Sequence, residues 1–115
     1  MKGWIGVDLD GTLAEYYGWK GKNHIGKPIE KMVEFVKKQI AAGIQVKIFT
    51  ARAADLDQIP VIKSWLEKID LDDLEITNIK DYGTIAIYDD RARQVILNTG
   101  EIVDTKFFTS DTDTQ

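Results

Sequence analysis

Apolar residues fall in short groups whose spacing changes along the chain. Trp4-Ile5-Gly6-Val7 is almost continuously apolar and bounded by glycine, the pattern of a buried strand. From Ile29 the apolar positions recur at intervals of three and four: Ile29, Met32, Val33, Val36, Ile40. That is one stripe of a helix, with Pro28 at its opening and Gly43 after its end. Lys31, Glu34, Lys37 and Lys38 lie largely off the stripe and read as its solvated face. Residues 44–50 alternate and then turn apolar, a second strand. Ile59, Ile62, Trp65, Leu66 and Ile69 make a second helical stripe, with Asp55 or Asp57 as its cap and Pro60 in its first turn. Trp65 reads as core. Residues 74–77 predict a short strand and residues 84–88 a stronger one that runs into Asp89-Asp90. Residues 94–97 and 101–103 flank Asn98-Thr99-Gly100, a hairpin signal.

Strands alternating with helices imply an α/β fold with right-handed crossovers and a mainly parallel sheet. The expected architecture is a three-layer α/β/α, Rossmann-like body with helices on both faces and a C-terminal β-hairpin. One domain is expected over residues 1–106. Residues 13–27 form a flap too short to be a domain, and residues 107–115 a disordered tail, since the run from Thr109 has no apolar residue. In such sheets ligands bind at the carboxyl ends of the strands. Asp8, Asp10, Thr50, Asp89 and Asp90 all fall at those ends, on one edge of the sheet.

Composition narrows the class. A chain of 115 residues, 43% hydrophobic and 30% charged, suits a single soluble globular domain. No apolar run reaches the length of a membrane span, and no signal peptide is visible, so a cytoplasmic address and no membrane partner are expected. Without cysteine there is neither a disulfide framework nor a thiolate metal site. A net charge of −4 and a pI near 4.9 argue against a broad basic face for nucleic acid. They leave room for local contact with a phosphate through a metal ion.

The chemistry concentrates in Val7-Asp8-Leu9-Asp10-Gly11-Thr12-Leu13. Asp-Gly alone is a common turn. Two carboxylates one residue apart at the end of a buried strand are another matter, because repulsion and desolvation disfavour both ions. If the strand continues, Asp8 and Asp10 project the same way, and the pair calls for a cation.

Together with three later stretches, this one resembles the haloacid dehalogenase-like hydrolases, mostly magnesium-dependent phosphatases. Asp8-Leu9-Asp10-Gly11-Thr12 resembles their first motif and Thr50 in Phe49-Thr50-Ala51-Arg52 their second. Lys80 resembles the third, and Asp89-Asp90 in Tyr88-Asp89-Asp90-Arg91 the fourth. The resemblance implies a Mg²⁺-dependent phosphomonoester hydrolase with Asp8 as nucleophile and Asp10 as general acid–base. Thr50 and Lys80 would complete the catalytic set, and Gly11, Thr50, Ala51 and Lys80 would hold phosphate beside Asp8. The metal would be held by the carboxylates of Asp8 and Asp89, the backbone carbonyl of Asp10, and Asp90 directly or through water. Arg52 and Arg91 are expected to pair with neighbouring carboxylates rather than touch substrate.

Many members of that superfamily insert a cap domain after the first motif or between the second and third. Both gaps are short here, which implies an uncapped, open site. The partners then implied are a phosphorylated small molecule or an accessible phosphorylated end of a macromolecule. The Tyr88-Asp89-Asp90-Arg91 stretch is also similar to the phosphatase domain of polynucleotide kinase–phosphatases, which implies polynucleotide 3′-phosphatase or nucleotidase activity as an alternative. Tyr16, Tyr17, Trp19, Lys20, Lys22 and His24 in the flap are the natural place for selectivity: aromatics stack bases and lysines meet phosphate. Rival classes are a phospho-accepting receiver-like domain, disfavoured because its aspartate belongs on a third strand, and a non-catalytic binding module on the same scaffold.

Overall fold

A computed structural model describes residues 2–103; the expected tail at 107–115 and the end of the expected domain at 104–106 lie outside the described residues. The order is β1 (Trp4–Val7), α1 (Glu30–Ala41), β2 (Gln45–Phe49), a 3₁₀ turn (Ala51–Ala54), α2 (Gln58–Glu67), β3 (Glu75–Thr77) and β4 (Thr84–Tyr88). The strands form a four-stranded sheet in the order β3-β2-β1-β4, every neighbouring pair parallel. β1, the first strand, is thus flanked on both sides, and all four of its residues are buried.

The helices start and stop for local reasons. α1 begins two residues after Pro28, with Ile29 at its N-cap. It ends in the left-handed turn expected at Gly43, whose φ is 85°. Gly43 N–H donates to the Ile40 carbonyl at 2.9 Å and Ile44 N–H to that of Gln39 at 3.0 Å, the paired bonds of a Schellman cap. Val36 is fully buried, with Met32, Val33 and Phe35 packed beside it, whereas Ile40 at the far end of the stripe is 40% exposed. α2 starts at Gln58 beside Asp57, and Trp65 is core as expected, its Nε1–H donating to the Gly26 carbonyl at 2.8 Å.

One face of the sheet carries the core. Ile5, Val7, Val46 and Ile48 cluster with Val36 of α1 and with Ile62, Trp65 and Leu66 of α2. The opposite face holds Trp4 against Phe49, ring centroids 6.2 Å apart, with the Lys47 ammonium 4.5 Å from the Trp4 ring centre. Among the described residues both helices therefore cover the same face, and the helices expected on both faces are not found. The cause is strand order: the β1→β2 and β2→β3 crossovers step in one direction, and two right-handed crossovers in one direction put both helices on one side. The expected C-terminal hairpin is reduced to one antiparallel bridge, Val95 to Ile102, with Ile96 N–H donating to the Glu101 carbonyl at 2.9 Å. No helix among the described residues is long and apolar enough to cross a membrane.

Candidate functional site

The site grows out of the turns that leave β1, β2 and β4. Asp8 follows β1 directly, and its N–H donates to the Tyr88 carbonyl at 2.9 Å, so the ends of β1 and β4 are locked side by side. Leu9 is fully buried beneath the turn, and its carbonyl accepts from the N–H groups of Leu13 and Ala14 at 3.0 and 2.9 Å. Gly11 takes φ 91° there, open to glycine without strain. Thr12 fastens this turn to the one after β4: its hydroxyl donates to Asp90 Oδ1 at 3.2 Å and accepts from Asp90 N–H at 3.1 Å.

These ties bring Asp8, Asp89 and Asp90 together, one carboxylate oxygen from each lying within 4.8 Å of the others. Asp89 is steadied by the Arg91 N–H, which donates to its Oδ1 at 2.7 Å. Burial foremost, then the charge of Asp89 and a hydrogen bond with Asp90, push the Asp8 carboxyl up to about 8 from its ordinary 3.8. A site built this way disfavours its own charge and is relieved by a cation. Such an all-oxygen set is of the kind that hard divalent cations take.

Asp10 takes a different path from the one the strand pattern suggests. The strand stops at Val7, so side-chain alternation no longer applies, and the Asp10 carboxylate does not join the cluster. It faces Arg52 instead, whose Nε donates to Oδ2 at 2.7 Å and whose Nη2 donates to Oδ1 at 3.0 Å. The expected pairing of Arg52 with a neighbouring carboxylate thus forms. Arg52 is only 8% exposed and is satisfied on its other edge by Gln58 Oε1 at 2.9 Å.

Thr50 directly follows β2 and is buried, with its N–H donating to the Thr77 carbonyl at 2.9 Å. Its Oγ1 accepts from Arg52 N–H at 3.2 Å, capping the 3₁₀ turn, which leaves the hydroxyl proton for an acceptor in the cleft. A cleft of about 540 Å³ opens here, lined by Asp8, Asp10, Thr50, Ala51 and Asp89, with Arg91, Asn78 and the flap residues Tyr16 and Trp19 on its walls.

Lys80 is the expected site residue that the fold does not bring in: it is exposed and lies off the cleft wall. The turn at 81–83 is held by Asp81, whose Oδ1 accepts from Trp4 Nε1 at 2.9 Å and from Gly83 N–H at 2.8 Å on the side away from the helices. Asn78 takes its place on the wall. It was open to the same strand-end rule that picked out Thr50, being the first residue after β3.

Comparison with protein-family models, with curated proteins and with solved structures yields no match for this chain.

Proposed function

We propose that the chain is a Mg²⁺-dependent phosphomonoester hydrolase, related to the haloacid dehalogenase-like enzymes, that works through an aspartyl-phosphate on Asp8. The observation that carries this reading is the convergence of Asp8, Asp89 and Asp90 beside Thr50 at adjoining strand ends, with an open cleft in front of them. The carboxylates of Asp8, Asp89 and Asp90 and the backbone carbonyl of Asp10 would hold the metal. Bound there, Mg²⁺ supplies positive charge that offsets repulsion between Asp8 and an incoming phosphate.

The chain's own residues account for the two steps. Asp8 attacks phosphorus, forming an Oδ–P bond as the ester P–O bond breaks. Asp10, with one oxygen released from Arg52 and protonated from solvent, gives that proton to the departing oxygen. A water then attacks the same phosphorus, Asp10 takes up its proton, and the Oδ–P bond breaks to return the Asp8 carboxylate and inorganic phosphate. Thr50 donates to a phosphoryl oxygen, an electrostatic contribution of the oxyanion-hole kind. The role that the resemblance gives Lys80, neutralising phosphoryl charge, requires its side chain to reach the cleft when substrate binds.

Trp19 on the cleft wall is 58% exposed. That favours, as a second reading of the substrate, a nucleotide or a polynucleotide 3′-phosphate end, whose base would stack there. Release of inorganic phosphate from p-nitrophenyl phosphate, with Mg²⁺ and with a chelator, tests the proposal: metal-dependent release supports it, and none with either condition contradicts it.

A further inference from the structure

Arg52 is heavily engaged, and only part of its engagement is with Asp10. Its Nη2 donates to the His24 carbonyl at 2.8 Å and its Nη1 to the Lys22 carbonyl at 3.3 Å. The Trp19 ring lies against the guanidinium, 4.8 Å from Cζ to ring centre. Lys22, Asp55 and the 3₁₀ turn close the same clasp from outside, Lys22 Nζ lying 2.6 Å from Asp55 Oδ2. One buried side chain therefore grips the proposed acid–base with two donors and the flap with two more and an aromatic face.

We propose that Arg52 is a positioning residue that ties the orientation of the Asp10 carboxylate to the conformation of the flap at 13–27. The inference rests on the hydrolase reading for its catalytic half, since it gives Asp10 a proton to deliver. Both oxygens of Asp10 are occupied by the guanidinium fork, whose planar geometry fixes the carboxylate plane as well as its place. Delivering a proton to a leaving group requires one oxygen to turn from that fork toward the cleft. Whatever moves the carbonyls of Lys22 and His24, or lifts Trp19, moves the guanidinium and with it Asp10. A leaving group lodged beside Trp19 is placed to do this. The neighbouring hollow of about 170 Å³ under the flap shares Asp10, Tyr16 and Arg52 with the main cleft, so the acid stands between the two spaces.

A purely structural arginine would not distinguish substrates by their leaving groups, and this separates the two accounts. The value of kcat/KM, which reports the first step and not the hydrolysis of the aspartyl-phosphate common to both, is compared for p-nitrophenyl phosphate, whose leaving group needs little protonation, and for an alkyl phosphate, whose alkoxide needs the acid. Arg52→Lys keeps the charge and loses the fork. It is expected to lower kcat/KM for the alkyl ester by about a hundredfold, within the usual range of general acid–base help, and for the aryl ester by about threefold or less. Trp19→Ala keeps both the Arg52 and the Asp10 side chains, removes only the ring that lies on the guanidinium, and is expected to shift the same ratio in the same direction. Equal losses on both substrates in either variant would overturn the proposal.

The mechanical half is read without activity. Trypsin cleavage after Lys20 and Lys22 should be about tenfold faster in both variants, at unchanged far-ultraviolet circular dichroism. Unchanged cleavage in a folded variant would overturn the clasp. Should Arg52→Lys not fold, Trp19→Ala decides alone by the same two measures. Should the wild-type protein hydrolyse neither ester, the hydrolase reading fails, and the proteolysis still decides the link between Arg52 and the flap.

Discussion

Gly11 lies so close to Asp90 that a β-carbon built on it would stand 2.8 Å from Oδ2 and 2.9 Å from the carboxyl carbon. The first turn of the chain and the last carboxylate of the cluster are therefore shaped to each other. The backbone adds its own demand, since φ at Gly11 is 91°. Gly11→Ala is expected to cost about 1–2 kcal/mol for the left-handed backbone alone. It should also push Asp90 off the cluster and, at a displacement near an ångström, lower turnover by about a hundredfold. Urea unfolding and steady-state kinetics read the two effects separately.

The raised Asp8 carboxyl makes stability depend on pH in the metal-free protein. In the unfolded chain Asp8 ionises near 3.8, whereas burial beside Asp89 and Asp90 holds its proton in the folded chain up to about 8. Between those values the folded chain binds the extra proton, so this contribution to stability falls as pH rises from about 4 to about 8. Asp55 and Asp81, both held below the ordinary carboxylate range by hydrogen bonds, act on the acid side of that window. Metal-free protein should thus unfold at lower urea at about pH 8 than at about pH 5. Asp8→Asn should flatten the difference, and its persistence in the variant would place the titrating group elsewhere.

Binding of Mg²⁺ to the folded cluster should raise the melting temperature, because the unfolded chain has no preformed site. Ligand at about a hundred times its dissociation constant adds about 2.7 kcal/mol. Asp89→Ala removes one carboxylate of the cluster and should abolish most of the increment in a thermal-shift titration. Equal shifts in the two proteins would show the ion bound at another place.

Leu9 separates the two aspartates of the first motif and is fully buried. Leu9→Ala is expected to destabilise the protein by about 2–5 kcal/mol, the range for truncating a buried leucine. It also loosens the turn whose N–H groups close on the Leu9 carbonyl. A loss under about 1 kcal/mol in urea unfolding would mean that the turn is held by its hydrogen bonds and not by this anchor.

Where local pattern decides, the chain was legible. The strand at Thr84–Tyr88 lies where its β-branched and aromatic run placed it, and Gly43 caps α1 as its position after Ala42 implied. Asp8, Asp89 and Thr50 come together because strand-end residues of a parallel sheet share an edge whatever the strand order. Properties set by that order were not legible. Spacing cannot tell that β2 and β3 succeed β1 on the same side, so it could not foresee both helices on one face. Ile40 belongs to the helical stripe yet remains exposed, since amphipathic pattern does not say where the underlying core ends. The partner of Arg52 was narrowed to nearby carboxylates, but its choice of Asp10 depends on where β1 stops. Lys80 shows the reverse: its order along the chain suits the site, yet its side chain stands exposed off the cleft wall, next to a turn that the Trp4–Asp81 bond fastens.

Whether Asp8 carries the phosphoryl group is decided by acid-quench trapping. Wild-type protein is mixed with Mg²⁺ and a phosphorus-labelled phosphomonoester, quenched in acid within one turnover, and digested to locate the label. Label is expected on the peptide bearing Asp8, released by hydroxylamine as an acyl phosphate is, and absent from Asp8→Asn, which should also fail to turn over. Label on another residue, or Asp8→Asn turning over at a rate near that of the wild type, would contradict it.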